Sequence, residues 1–147
     1  MEEQLGRKLV LWPGYCPTHA RINPKDILDL KAAHPQALAL AHPEFPKPVR
    51  VVSDRILSTG QMCKFVKENP AAEFIIATEE GLLHRLRNEN PSKTFYRVSP
   101  FAVCPNMKRI TVEKVYFSLR DRAPVVQVEE PVASRARRAI DQMLAWS

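Results

Sequence analysis

No stretch of the sequence approaches the roughly 20 consecutive apolar residues that a bilayer-crossing helix requires, so the expectation is a soluble chain without a membrane partner. The opening Met1-Glu2-Glu3-Gln4-Leu5-Gly6 is acidic where a secretory signal is basic and then apolar, which makes a cytoplasmic location the default. Cysteine is scarce. Three thiols are too few and odd in number for a disulfide framework, and in a reducing compartment they point to metal ligation, redox chemistry or packing. Sequence-wide clustering of base is also missing: 22 Lys and Arg against 16 Asp and Glu give a formal charge of +6, which suits anionic ligands, but the basic residues are scattered. Only Arg135, Arg137 and Arg138 crowd together, and they read as a solvated helix face. With no aromatic-basic alternation to stack bases, nucleic acid is not an expected partner.

What is present is 45% hydrophobic residues over 147 positions, enough for one ordinary globular domain, or for one domain plus an appended piece of another. Lys8–Trp12 reads as a buried strand ended by Pro13-Gly14, leading into a loop at Tyr15-Cys16-Pro17. Asn23 is a good N-cap and Pro24 fits the first helical position, with Ile27, Leu28 and Leu30 forming an apolar face before His34-Pro35. Ala37–Ala41 is a short buried strand with His42-Pro43-Glu44 just past its end.

The pattern then repeats: a short helix near Val49–Val52, a strand at Arg55–Leu57, and a Ser58-Thr59-Gly60 turn into a helix through Met62, Phe65 and Val66. Phe74–Ala77 is the next strand, Leu82, Leu83 and Leu86 mark a helix closed by Asn90-Pro91, and Thr94–Val98 is a further strand. Alternating strands and helices predict an α/β fold, a three-layer α/β/α unit with a mostly parallel sheet. Ligands gather beyond the carboxyl ends of such strands, which puts His42, Glu44, Ser58 and Thr59 along one edge. After Pro100 a helix near Val112–Leu119 and an amphipathic helix through Ala136, Ile140, Met143 and Leu144 read as a C-terminal helical extension. The expected division is residues 1–15 as the tail of a preceding α/β unit, 16–104 as a complete unit, and 105–147 as the extension.

An internal repeat links two of the cysteines. Cys16-Pro17-Thr18-His19-Ala20-Arg21-Ile22-Asn23 and Cys104-Pro105-Asn106-Met107-Lys108-Arg109-Ile110-Thr111 share Cys, Pro, Arg and Ile in register and end in a capping residue. Both copies read as a cysteine loop followed by a capped helix. Duplication that sets a cysteine at the same joint of successive units converges thiolates between them, and iron-sulphur clusters are held mainly by such thiolates. A further copy one period upstream would precede Met1, so the expectation is a sequence incomplete on its N-terminal side.

At these residues the chain resembles the quinolinate synthase family. The matching motifs run from Gly14-Tyr15-Cys16-Pro17-Thr18-His19 through His42-Pro43-Glu44, Ser58-Thr59-Gly60-Gln61-Met62 and Gly81-Leu82-Leu83-His84 to Cys104-Pro105-Asn106-Met107-Lys108. The resemblance implies one and a part of three homologous α/β units arranged about a pseudo-threefold axis, an incomplete copy of a three-domain fold. It also implies a 4Fe-4S cluster with Cys16 and Cys104 as two ligands, the third belonging to the units not represented here. The implied reaction condenses iminoaspartate with dihydroxyacetone phosphate to quinolinate, phosphate and water. In it Glu44 would transfer protons, His42 and His19 would orient anionic or carbonyl groups, and Ser58 and Thr59 would hold carboxylate or phosphate at a helix N-terminus. Phe45 stands where the family usually has cysteine.

Without the missing units the fragment is expected to be inactive alone, and a separate chain carrying them is an implied partner. Two other readings compete: a catalytically inactive metal-binding or interaction module, and a zinc protein using Cys16, His19, Cys104 and His42. Cys63, inside a predicted helix beside Met62, reads as a packed hydrophobe, and His34 and His84 read as surface residues.

Overall fold

The computed structural model describes Gly6, Lys8, Val10 and residues 13–146, so the expected strand at Lys8–Trp12 and most of the 1–15 segment lie outside the described residues. The chain divides into two units, Met1–Pro105 and Asn106–Ser147.

The first unit begins with a single helical turn, α1 (Pro17–Ala20), where a loop was expected. Helix α2 (Pro24–Ala33) starts as its sequence dictates: Asn23 accepts the Lys25 amide at 2.9 Å, the Asp26 carboxylate accepts the Asn23 amide at 3.0 Å, and Pro24 occupies the first turn. Strand β1 (Leu38–Ala41) follows, then α3 (Lys47–Val51), β2 (Arg55–Ile56), α4 (Thr59–Glu68), β3 (Glu73–Ala77), α5 (Gly81–Glu89) and β4 (Thr94–Arg97). The strands form one sheet in the order β2-β1-β3-β4. Every pairing is parallel, with Leu38 beside Phe74, Ala39 beside Ile75, and Phe74 beside Phe95.

Side chains alternate across this sheet and make two cores. Ala39, Ala41, Ile75 and Ala77 face Ile27 of α2, Val49 of α3 and Phe45. Leu40, Phe74, Ile76 and Phe95 face Met62, Cys63 and Val66 of α4 and Leu83 and Leu86 of α5. The unit is therefore a three-layer α/β/α sandwich, and strands buried on both faces explain why each read as a nearly unbroken apolar run. Small alanines on the α2 face of β1 and β3 allow close helix approach, whereas Phe74 stacks on Phe95 at 5.9 Å on the other face. Because all four strands run the same way, their carboxyl ends share one edge.

The second unit holds a 3-10 turn (Met107–Arg109), α6 (Val112–Asp121) and α7 (Val132–Ala145). Thr111 caps α6 by accepting the Lys114 amide at 3.3 Å. Neither helix contains a buried residue. No helix among the described residues is long and apolar enough to cross a membrane.

Candidate active site

The carboxyl edge of the sheet carries the residues with chemistry. Beyond β1, the His42 amide donates to the Ala77 carbonyl at 3.0 Å and the Phe45 amide to the His42 carbonyl at 3.1 Å, so His42-Pro43-Glu44-Phe45 is a turn pinned to the sheet. That turn turns Phe45 into the core at 2% exposure and leaves Glu44 outside, with its side chain 56% exposed. Phe45 thus fills an apolar position, which accounts for a large hydrophobe where the resemblance expects cysteine.

The loop before α2 meets this turn. Cys16 is the residue preceding α1, and His19 lies one helical turn on, so their side chains share a face. The His19 ring stacks on His42 at 5.2 Å with planes 6° apart, and Phe45 packs edge-on against it at 4.7 Å. On its inner side His19 Nε2 is 3.2 Å from Thr78 Oγ1, beyond the end of β3. On its outer side Nδ1 is 3.1 Å from Glu44 Oε2, yet no hydrogen bond of acceptable geometry joins them, and this buried nitrogen has no hydrogen-bond partner. Proximity without alignment leaves Nδ1 an orphaned polar atom. Burial first, then the adjacent His42 ring, hold the His19 imidazole below its ordinary value near 6.5, while Glu44 pulls the other way.

His42 is differently employed: its Nδ1 faces the Glu44 backbone amide at 3.4 Å as acceptor, and Glu44 Oε2 is 3.8 Å away. Cys16 Sγ, His19 Nδ1 and a Glu44 carboxylate oxygen all lie within 4.8 Å of one another. An open depression of about 480 Å³ lined by Gly14, Tyr15, Cys16 and Glu44 gives access to them. Of the predicted residues, then, Cys16, His19, His42 and Glu44 converge.

Ser58 and Thr59 stand on the same edge at the end of β2. Ser58 is engaged as a cap, accepting the Gln61 amide at 3.4 Å while its own amide donates to Gln61 Oε1 at 2.9 Å. Thr59 is the first residue of α4. Cys104 is half-buried past β4, and its amide donates to Glu79 Oε1 at 3.3 Å. Sequence reasoning missed Glu79, a glutamate only 7% exposed whose other oxygen accepts the Gly81 amide at 2.7 Å. The signal was available: Glu79 lies just past Thr78 at the end of β3, on the edge where His42 follows β1. Cys63 is buried in the second core, as its packing reading required.

The donor set suits a metal-sulphur group. Cys16 and Cys104 are partly exposed cysteines at this edge, and the His19 nitrogen without a hydrogen-bond partner faces the Cys16 side of it.

Comparison with known proteins points to one family. The family model described as Quinolinate synthetase A protein matches residues 1–145. A quinolinate synthase of Dehalococcoides mccartyi is 44% identical over 144 residues, which cover 98% of this chain and 48% of that protein. One from Methanosarcina barkeri is 46% identical over 145 residues, covering 99% of this chain and 48% of the relative. One from Geotalea uraniireducens is 46% identical over 134 residues, covering 91% and 44%. The chain spans about half the length of the curated relatives it matches. With a family match along nearly every residue and Cys16 beside a His-His-Glu cluster on the carboxyl edge of a parallel sheet, the chain belongs to the quinolinate synthetase A family.

Proposed function

We propose that the chain supplies one part of a quinolinate synthase active site, for condensation of iminoaspartate with dihydroxyacetone phosphate. In this reading Cys16 and Cys104 hold two corners of a 4Fe-4S cluster, and a third thiolate comes from the half of the family's length that this chain does not span. When bound, such a cluster offers an iron without a protein thiolate as a Lewis acid toward a substrate oxygen. The chain's own residues do the rest. Glu44, exposed at the mouth of the depression, accepts and returns protons at its carboxylate. His19, locked between the His42 ring, Phe45 and Thr78, orients a carbonyl or carboxylate oxygen without moving. His42 fixes the Glu44 turn through its Nδ1 and presents its other nitrogen to an anionic group. Thr59 and the first amides of α4 bind carboxylate or phosphate, while Ser58 keeps that helix start in shape.

The observation that carries the reading is the convergence of Cys16, His19, His42 and Glu44 in a chain matched along its length by this family. Its test is anaerobic reconstitution with iron and sulphide, alone and mixed with a polypeptide spanning the first half of the Dehalococcoides mccartyi relative, followed by direct detection of quinolinate. Product is expected only in the mixture. Product from this chain alone, or none from the mixture despite a formed complex and assembled cluster, refutes it.

A further inference from the structure

We propose that Glu79 is a positioning residue that fixes the backbone of Cys104 against the end of β3, an inference that rests on the reading of Cys104 as a cluster ligand. A carboxylate taken out of water is costly unless hydrogen bonds replace its hydration, so a buried glutamate asks what it holds. Glu79 is only 7% exposed. Its two oxygens are divided between two distant amides: Oε2 accepts from Gly81 at 2.7 Å, and Oε1 accepts from Cys104, 25 positions along the chain, at 3.3 Å.

Helix capping alone does not account for this arrangement. Gly81 opens α5, and a negative charge suits a helix start, but that task needs one acceptor and is ordinarily met by a short side chain. The second oxygen reaches the cysteine segment instead. Beside it, the Glu80 amide donates to the Ala102 carbonyl at 2.8 Å, and the Ala102 amide donates to the Ser99 carbonyl at 3.1 Å. Ala102 is fully buried and Ser99 nearly so. Two consecutive residues thus grip the approach to Cys104 at two points, and the sulphur takes no part in either bond. The preceding residue, Thr78, has its Oγ1 3.2 Å from His19 Nε2, in the segment that carries Cys16. One short stretch past a central strand therefore touches both cysteine-bearing segments.

Ligands that come from distant parts of a chain bind best when their spacing is set beforehand, because less ordering is left to binding. Glu79 sets one side of that spacing through the backbone, as residues behind metal ligands do. The geometry demands a carboxylate of this length. Glutamine has one oxygen and would turn an NH2 group toward one of the two N–H donors. Aspartate keeps the charge beside α5 but is one methylene shorter, so it can serve the helix start without spanning both amides.

The test has two arms. In the reduced, cluster-free full chain, the Cys104 amide should exchange at least about tenfold more slowly than an unstructured amide, the scale of a hydrogen bond to a charged acceptor. Peptide mass spectrometry then reads iodoacetamide alkylation at each cysteine. Glu79→Gln and Glu79→Asp should each speed alkylation of Cys104 by about tenfold while leaving Cys16 and Cys63 nearly unchanged. An unprotected Cys104 amide in the unmodified chain overturns the proposal, whether or not the variants fold. So does an unchanged Cys104 rate in Glu79→Asp, which would mean that a cap of the same charge is all the position requires. In the second arm the chain is paired with a polypeptide spanning the first half of the Dehalococcoides mccartyi relative and loaded with iron and sulphide. There Glu79→Asp should retain iron against a chelator about 10- to 100-fold less well than the unmodified protein, and equal retention overturns the proposal. If no cluster forms even in the unmodified pair, the quinolinate synthase reading fails, while the alkylation arm still decides whether Glu79 fixes Cys104.

Discussion

The two units use the same kinds of residues to different ends. In Met1–Pro105, apolar side chains on strands and helices meet across a sheet, and Ile27, Leu40, Met62, Phe74 and Leu86 are fully buried. In Asn106–Ser147, equally apolar residues remain open: Val112 is 83% exposed, Leu119 76% and Trp146 85%. Helices α6 and α7 are 10 and 14 residues long, a length at which an isolated helix is marginal in water. Amphipathic sequence therefore specifies helix in both regions, but only the first supplies the second surface that makes a helix stable. The chemistry follows the same division. Cys16, His19, His42, Glu44, Ser58, Thr59, Glu79 and Cys104 all lie in the region with a core.

Breaking that division is expected to have its largest effect at the thiols. Cys16→Ser or Cys104→Ser, in the chain paired with a polypeptide spanning the first half of the Dehalococcoides mccartyi relative, should abolish cluster assembly, because an un-ionised hydroxyl is a poor substitute for a thiolate. Cys63→Ser, in the same region but inside the core, should retain the cluster. Iron and sulphide analysis reads all three, and equal loss from all three contradicts the separation of ligand from packing cysteine. Next, Glu44→Gln should preserve the cluster and lower turnover by about 100- to 10,000-fold, the range for a general acid-base group. A drop below about tenfold in quinolinate formation, or a lost cluster spectrum, removes Glu44 from that role.

Much of this division was legible in the sequence, for identifiable reasons. The parallel strands read as apolar runs because both their faces are buried, and the starts of α2 and α4 were marked by Asn23-Pro24 and by Ser58, whose side chains do cap them. His42 and Glu44 were legible as site residues because a position just past a parallel strand is a rule of the architecture. Helix α1 was not, since four residues are too few to show a period. The stack of His19 on His42 and the Thr78 contact depend on pairs 23 or more positions apart and leave no local trace. Glu79 was hidden differently: next to Glu80 it looks like surface charge, and only the fold shows it bound to the Gly81 and Cys104 amides.

Smaller effects sharpen the contrast in stability. Phe74→Ala, at the centre of the second core, should cost about 3–5 kcal/mol in urea unfolding. Ile140→Ala in α7 should change the stability of the chain alone by no more than about 0.5 kcal/mol, as for an exposed site. Equal costs would show that the second region has a core after all. Asn23→Ala, which removes the cap of α2, should fall between them at about 1 kcal/mol.

The metal-free chain should also lose stability on mild acidification. His19 has its folded value held below the ordinary one by burial and by His42, so between the two values the unfolded chain binds more protons. Its contribution is therefore complete above the ordinary value near 6.5 and declines as pH falls through and below it. Unfolding curves at a series of pH values should show that slope, and it should disappear in His19→Gln.

Amide hydrogen exchange on the unmodified chain tests the contrast most directly, because it reads both regions in one sample. The account predicts slow exchange in β1, β3 and α4, set by global unfolding, and exchange close to the unprotected rate throughout α6 and α7. Protection of α6 and α7 equal to that of the sheet, in a monomeric chain, would contradict it.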